Sequence, residues 1–424
     1  MRILIVEDNQ IIAKILSTKI LGLVSTDIDV AKSFKEAKEY IEKNSYTLTI
    51  CDLQTDEDSE HSVNFDLLDF ILSKNIPTIS ISSHIQENDE REIDKRNIID
   101  FAIKTRSESI DYIVQLTKRL IKNRYHKVLI VDDSIIYRKE ISRVLKKQLL
   151  DNIAASNANE AISMLKEHDD ITMIITDYEM PEDSGLDFLL AIRKRYSKYQ
   201  LPVIGISSEK ENAILFLKHG VNDFVRKPFF KEELSTRVNN TLDSIENIKK
   251  LNEFANTDFL SGVKNRKYFY QEGQKIYKKC QHSQESFVIA TLDIDFFKKI
   301  NDNYGHDVGD LVIKELATIL KNNVKGQDIV SRVGGEEFCI LLREIEAKQA
   351  YYFFDNLREK IANTKVKIDG NSTLSFSVSI GLATKIYKSF EEMIKQSDLA
   401  LYSSKNNGRN MVSMDIDTKQ EALL

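Results

Sequence analysis

Two stretches of this chain are copies of one another. The opening RILIVEDN returns as KVLIVDDS, which carries Asp8 onto Asp133, an offset of 125 residues. The same offset carries Asp52 onto Asp177, Pro77 onto Pro202 and Ser82 onto Ser207, and Lys104 maps to Lys227 at 123. Polar and special positions that keep register over about a hundred residues mark a tandem duplication, with copies at 1–124 and 125–245. At roughly 150 residues per domain, a chain of 424 residues has room for one further domain after them.

Each copy alternates short apolar runs with amphipathic stretches. In the second copy VLIVDD, MIITD, PVIGISS and DFVRKP read as strands, and IIYRKEISRVLKKQL and GLDFLLAIRKRY read as helices. That alternation implies βαβ units around a parallel sheet. In such sheets the working residues lie at the carboxyl ends of the strands. Asp132, Asp133, Asp177, Ser207 and Lys227 all fall there. Three converging carboxylates repel one another unless a cation joins them, and oxygen-only ligands suit Mg²⁺. A lysine and a hydroxyl beside them can hold phosphoryl oxygens, with Asp177 as the nucleophile. Taken singly, each Asp also reads as a helix N-cap. The constellation, repeated, does not.

Both copies resemble response-regulator receiver domains. In the second, Asp132 and Asp133 match the acidic metal pair, and Asp177 followed by YEMPEDSG matches the phosphoacceptor and its loop. Ser207 and Phe224 match the switch positions, and Lys227-Pro228 the lysine and its cis-proline. In the first copy Glu7, Asp8, Asp52, Ser82, Phe101 and Lys104 are in place. There Asp52 is followed by LQTDEDSEHS, without Met-Pro or glycine, and Lys104 by threonine. Two readings of that copy stay open: a second phosphoacceptor, or a packing and dimerisation copy.

A connector follows. Leu234, Val238, Leu242, Ile245, Ile248 and Leu251 recur every three or four residues, and no breaker interrupts 231–261. This is an amphipathic helix, a linker over 231–257 that continues the last receiver helix. It either packs on its own domain or pairs two protomers as a stalk.

From 252 onward the pattern changes. FVIATLD (287–293) reads as a strand, 307–322 as a helix, and DIVSRV and EFCILL as a hairpin around Gly334-Gly335. A helix at 347–362, a half-buried strand LSFSVSIGLA and a helix at 390–406 complete a βαββαβ order, the ferredoxin-like palm. In a palm, Asp293 at the end of the first strand lies beside the hairpin turn that carries Glu336 and Glu337. Carboxylates meeting there suit a divalent cation and a triphosphate, and the glycines leave room for a bulky ligand.

The string LDIDFFKKINDNYGHDVGD, together with DFLSGVKNRKYF, RVGGEEF and the closing KNNGRN, resembles the GGDEF family of diguanylate cyclases over 255–412. The order receiver–receiver–GGDEF is similar to that of PleD-type response regulators. The resemblance implies that Asp293, Glu336 and the Ile294 carbonyl hold Mg²⁺ or Mn²⁺, and that Glu337 assists deprotonation of a ribose 3′-hydroxyl. It implies that Asn301 and Asp310 read the guanine edge. Phe296 and Phe297 amides, Lys298, His306, Arg332, Lys405 and Arg409 complete the GTP site. The implied reaction joins two GTP into cyclic di-GMP with loss of two pyrophosphates. A cognate histidine kinase would phosphorylate Asp177, and Asp52 as well, driving homodimerisation. Where many relatives carry an Arg-x-x-Asp inhibitory site, this chain has Lys325 and Asp328, so weak product inhibition is expected.

Composition, 42% apolar and 30% charged, is that expected of an ordinary soluble globular protein. Sixty basic against sixty-six acidic residues give a net charge of −6, which argues against a general nucleic-acid binder. Cys51, Cys280 and Cys339 are scattered, with no disulfide or zinc spacing, so reduced thiols and a cytoplasmic setting are expected. The N-terminal apolar run is too short for a signal peptide, and no stretch approaches the ~18 apolar residues of a membrane span. The competing readings are a non-catalytic GGDEF receptor, a phosphorelay scaffold, and a cyclase for another nucleotide.

Overall fold

The computed structural model describes residues 1–54, 65–83, 87–104, 107–180, 184–283, 285–324, 326, 328–368 and 372–415. It divides into two compact units, Met1–Ile248 and Lys249–Leu424.

The first unit contains both copies. The first copy runs β1 (Arg2–Val6), α1 (Gln10–Leu21), β2 (Asp27–Ala31), α2 (Phe34–Lys43), β3 (Leu48–Asp52), α3 (Phe65–Ser73), β4 (Thr78–Ser82), α4 (Glu87–Asp94), β5 (Asp100–Ile103) and α5 (Ser107–Asn123). The second runs β6 (Lys127–Val131), α6 (Ile135–Lys147), β7 (Asp151–Ala155), α7 (Ala158–Glu167), β8 (Ile171–Asp177), α8 (Gly185–Arg193), β9 (Val203–Ser207), α9 (Lys210–Lys218), β10 (Asp223–Arg226) and α10 (Lys231–Asn256). The two sheets are parallel and five-stranded, with the same order: β2-β1-β3-β4-β5 and β7-β6-β8-β9-β10. Central strands such as LTICD and VIGIS are buried along their whole length, because helices cover both faces. Edge strands such as DIDVA are half-exposed.

Side chains start the helices. Asn9 caps α1 by accepting from the amides of Ile11 and Ile12. Ser33 and Asn157 cap α2 and α7 at equivalent places, accepting from Glu36 and Glu160. The last helices of the two copies are tied together. Arg119 donates to Asp243 (2.8 Å) and pairs with Glu246 (2.7 Å), and Lys122 pairs with Glu246 (2.5 Å). Asn123 Nδ2 donates to the Gln148 carbonyl and to Asn239 Oδ1.

The predicted connector over 231–257 is one helix, Lys231–Asn256. Just past it Asp258 accepts from the Ser261 amide and hydroxyl, closing a turn. Its apolar stripe divides. Leu234, Val238 and Leu242 are buried against the β6–β10 sheet and Ile245 is also buried, whereas Leu251 is 67% exposed.

The second unit adds β11 (Lys264–Asn265), α11 (Arg266–Ser283), β12 (Phe287–Ile294), α12 (Phe297–Tyr304), α13 (His306–Asn323), β13 (Ile329–Gly334), β14 (Glu337–Arg343), α14 (Ala347–Ala362), β15 (Lys365–Lys367), β16 (Thr373–Ser375), β17 (Val378–Ala383), α15 (Phe390–Asn406) and β18 (Val412–Met414). The main sheet runs β11-β13-β14-β12-β17-β18, and its four central strands are antiparallel. Apolar clusters cover both faces, one around Leu316 and Phe354, the other around Phe269 and Phe390. LSFSVSIGLA is two strands, not one. β16 pairs with β15, and β17 enters the centre of the main sheet, where all six of its residues are buried. Its one serine, Ser379, is tolerated inside because it finds a buried partner, described below. Cys51, Cys280 and Cys339 are buried free thiols.

Candidate functional site

The second unit gathers its charged residues at one end of the main sheet. Asp293 lies in β12 directly opposite Glu337 of β14, and Gly335-Glu336 forms the two-residue turn between β13 and β14. Asp293 is buried, Glu336 half-buried and Glu337 exposed. Burial pushes the Asp293 carboxyl above its usual range. Lys405 opposes this with its Nζ 2.8 Å from Oδ2, while Glu336 and Glu337 reinforce it. Neither turn glycine has a left-handed φ, and a Cβ on Gly335 would meet nothing within 4 Å. Gly335 therefore serves open space above the turn rather than its backbone geometry, whereas a Cβ on Gly334 would stand 3.3 Å from Glu337 Oε2.

Beside this lies a cationic rim. Phe296 caps α12 in a left-handed conformation (φ 56°, ψ 29°), leaving the first amides of the helix facing outward. The Arg409 guanidinium lies 4.5 Å from the Phe296 ring centroid and Lys299 Nζ 4.6 Å from it. Lys298 is exposed on the same turn. Asn301 on α12 turns Oδ1 into a buried place with no hydrogen-bond partner. Gly309 on α13 makes that possible, since a Cβ there would stand 1.9 Å from Asn301 Oδ1. His306 and Asp310 are exposed in the first turns of α13.

Arg332 was expected on a triphosphate. The structure engages it otherwise: Nε donates to the Gly335 carbonyl (2.8 Å) and NH1 to Asp258 Oδ1 (3.0 Å). It braces the carboxylate turn against the loop after α10. Of the inhibitory pair, Lys325 lies outside the described residues. Asp328 accepts from the Arg343 amide (2.9 Å), and its burial raises its pKa.

In the first unit, two carboxylate triads, Glu7–Asp8–Asp52 and Asp132–Asp133–Asp177, each bring ligand oxygens within 4.8 Å of one another. Such all-oxygen sets fit a divalent cation. Lys227 Nζ bridges Asp132 Oδ2 (2.7 Å) and Asp177 Oδ2 (2.8 Å) and lies 4.1 Å from the Tyr137 ring centroid. Lys104 does the same for Glu7 (2.9 Å) and Asp52 (2.5 Å). Burial raises the carboxyls of Asp177 and Asp52, with the lysines opposing, and pushes Glu7 up to about 7 with help from Asp52. Ser207 is buried and accepts from the Glu209 amide and Asn212 Nδ2. Ser82 is likewise buried, and Phe224 and Phe101 are half-buried at the adjacent strands. Lys227-Pro228 is cis, as expected. Most of the loop after Asp52 and Thr105 after Lys104 lie outside the described residues.

Sequence reasoning assigned no role to three contributors. Glu179 accepts from Ser207, Ser208 and Asn212, reaching across from the Asp177 loop. Arg138 NH1 donates to the carbonyls of Asp132 and Asp133. Asp295 is buried and accepts from Ser377, Ser379 and Asn410. Only Asp295 carried a local signal, an acidic residue in the otherwise apolar segment that follows Asp293.

Sheet order, strand-end carboxylates and an acidic glycine turn are those of a response-regulator receiver domain and a GGDEF domain, and the comparisons with known proteins find both in this chain. The model of the diguanylate cyclase GGDEF domain matches residues 255–411, and that of the response regulator receiver domain matches residues 128–239. Response regulator PleD of Caulobacter vibrioides is 28% identical over 298 residues, 68% of this chain and 65% of that protein. The match thus spans just under two thirds of this relative's length. Diguanylate cyclase A of Treponema denticola is 34% identical over 173 residues, 40% of this chain and 46% of that one. A solved two-component system response regulator/GGDEF domain protein superposes with a TM-score of 0.53 at 32% identity, covering 58% of this chain and 99% of its own. Among the described residues, no helix is long and apolar enough to cross a membrane.

Proposed function

We propose that the chain is a phosphorylation-regulated diguanylate cyclase that converts two GTP into cyclic di-GMP and two pyrophosphates. The observation that carries this reading is the buried Asp293 facing the open Gly335–Glu337 turn, beside an uncapped helix N-terminus and Arg409. The domain reads as a ferredoxin-like palm.

Asp293, Glu336 and the Ile294 carbonyl would hold Mg²⁺ or Mn²⁺. The fit is electrostatic: burial and two neighbouring glutamates disfavour the Asp293 carboxylate, and a cation relieves that crowding. When bound, the cation would stabilise charge on phosphate oxygens. Asn301 and Asp310 accept from the guanine edge, with His306 beside them. The Asn301 Oδ1 lies against Gly309 without a partner, so nothing in the protein ties that amide down against turning to such an edge. The amides of Phe296 and Phe297, with Lys298, Lys405 and Arg409, hold the triphosphate, and Arg332 keeps the acidic turn in place. Glu337 takes the proton of an attacking 3′-hydroxyl. The new bond joins that oxygen to the α-phosphorus of the second GTP, the bond to the β-phosphate oxygen breaks, and pyrophosphate leaves. One domain supplies one GTP, so two must face each other, and proximity supplies much of the acceleration.

The two five-stranded units act as tandem receivers. A histidine kinase would phosphorylate Asp177 at the metal pair Asp132 and Asp133, and Asp52 would be a second acceptor. Ser207, Phe224 and Lys227 respond in one copy, and Ser82, Phe101 and Lys104 in the other. The exposed end of α10 would pair two protomers, giving a homodimer that works in the cytoplasm without nucleic acid or membrane. With lysine at 325, product inhibition is weak.

The test is turnover of GTP with Mg²⁺, with and without beryllofluoride, with molecular mass measured alongside. Cyclic di-GMP that rises with beryllofluoride, together with mass, supports the reading, and Asp177→Asn and Asp52→Asn assign the receiver. GTP bound without turnover in either condition would leave a non-catalytic nucleotide receptor.

A further inference from the structure

Asp295 is a carboxylate inside the protein, 5% exposed, two residues past Asp293. Oδ1 accepts from the Ser379 hydroxyl (2.6 Å). Oδ2 accepts from the Ser377 hydroxyl (2.6 Å) and from the backbone amide of Asn410 (3.0 Å). Its own amide donates to the Ser377 carbonyl (2.9 Å). A carboxylate buried among donors in this way is held firmly, and it holds them in turn.

The Asn410 amide belongs to an unusual turn. Gly408, Arg409 and Asn410 all have positive φ, at 117°, 63° and 46°. For the two non-glycine residues that conformation is strained, so it persists only where surrounding contacts impose it. Three contacts do so. Asp295 binds the Asn410 amide, the Arg409 amide donates to the Ser404 carbonyl (3.0 Å), and Arg358 donates to Asn410 Oδ1 (3.1 Å). Phe296, directly after Asp295, has a positive φ of its own, and its ring lies 4.5 Å from the Arg409 guanidinium. Asp295 thus joins two strained turns, one by covalent succession and one by hydrogen bond. The side chains of those turns stack over the first turn of α12.

We propose that Asp295 is a positioning residue for the triphosphate, resting on the GTP reading above. Its carboxylate holds the 408–410 turn so that Arg409 lies across Phe296 beside the α12 amides. It thereby sets affinity for the β- and γ-phosphates and not for the nucleoside. Released from Asp295, the turn relaxes toward ordinary backbone and carries Arg409 away from the rim. Asparagine at 295 keeps most of the arrangement, because its carbonyl oxygen still accepts from Asn410 and its amide donates to a serine hydroxyl. Alanine keeps none.

The experiment compares binding of GTP and of GMP, each with Mg²⁺, to the full chain and its variants. Asp295→Ala weakens GTP about tenfold and leaves GMP unchanged; Asp295→Asn behaves as the unaltered chain. Arg409→Ala produces a similar selective loss, and adding Asp295→Ala to it weakens GTP little further. Asn410→Gly, which suits a positive φ, restores part of the GTP affinity lost in Asp295→Ala. Hydrogen exchange reports the turn directly: the Asn410 amide loses protection in Asp295→Ala. Equal losses for GTP and GMP, or an Asn410 amide as protected as before, overturn the positioning role alone. Absence of GTP binding by the unaltered chain overturns the functional reading and the triphosphate role with it. If Asp295→Ala does not fold, Ser379→Ala and Asn410→Gly, singly and together, carry the same GTP-against-GMP comparison, and an unselective effect there overturns the proposal.

Discussion

Lys405 Nζ stands 2.8 Å from Oδ2 of Asp293, joining the last turn of α15 to the end of β12. The partners are unequally buried: the Asp293 side chain is almost wholly enclosed, and that of Lys405 is about a third exposed. Desolvation dominates the carboxylate and leaves its pKa raised despite the ammonium. This aspartate therefore destabilises the fold near neutral pH.

Asp293→Asn should accordingly fold at least as well as the unaltered chain. Turnover should fall by at least about a hundredfold, while the melting temperature of the catalytic unit stays the same or rises by about 2–4 °C. Calorimetry beside a GTP assay checks both. A drop in melting temperature would mean that the ion pair contributes more than the desolvation of Asp293 costs.

Gly309→Ala separates stability from recognition. Alanine is favoured over glycine in a helix interior by about 1 kcal/mol, so α13 gains intrinsic propensity. The added Cβ nonetheless needs the space of Asn301 Oδ1, 1.9 Å away. The amide swings aside, and the half-saturating GTP concentration should rise about tenfold, worth ~1.4 kcal/mol. Steady-state kinetics read this as a KM effect.

The clamp between the two copies has a pH signature. Burial pushes the Glu246 carboxyl up, but Lys122 and Arg119 outweigh it and hold it at about 2, below its usual 4.5. A depressed carboxyl pKa contributes stability that is complete above the unfolded value and is lost as pH falls through the folded one. The contribution of Glu246 should therefore fade between about pH 4.5 and 2. Glu246→Gln should cost about 2 kcal/mol at neutral pH, and its difference from the unaltered chain should vanish at the acid end. Urea unfolding of residues 1–248 across that range measures it.

Gly185 is the tightest point of the Asp177 loop. A Cβ there would stand 1.9 Å from the Asp177 carbonyl oxygen and 2.9 Å from Tyr178 Cα, both backbone. Gly185→Ala should destabilise the second copy by about 2 kcal/mol. It should also weaken beryllofluoride binding at Asp177 about tenfold, because the acceptor backbone must move. Intrinsic fluorescence titration with beryllofluoride, using tyrosine, reads the second effect.

Much of this was legible in the sequence, for local reasons. β-strand and helix periods are written in consecutive residues, so the two parallel sheets, the hairpin at Gly334-Gly335 and the long α10 were all readable. Charged residues at strand ends announce themselves because burial there is otherwise unfavourable, and Asp132, Asp177 and Asp293 were found on that ground. The second half of the α10 stripe was legible as apolar but not as exposed, since pattern alone does not say what covers a face.

What only the tertiary structure decided depends on partners far apart in the chain. Arg332 reads as a free cation near an acidic turn; Asp258, 74 residues earlier, makes it a brace. The serines of LSFSVSIGLA read as the polar face of a half-buried strand; Asp295, more than eighty residues earlier, lets Ser379 lie inside the sheet. Arg119 and Asp243 occupy equivalent ends of a repeat, yet their opposite charges acquire meaning only once the helices pack together. By itself the sequence determined which elements form and which charged residues stand at the strand ends, because propensity, period and unfavourable burial act locally. Folding decided which of those charges are committed to one another and which remain available for a ligand, because a partner's identity depends on closure of the whole chain.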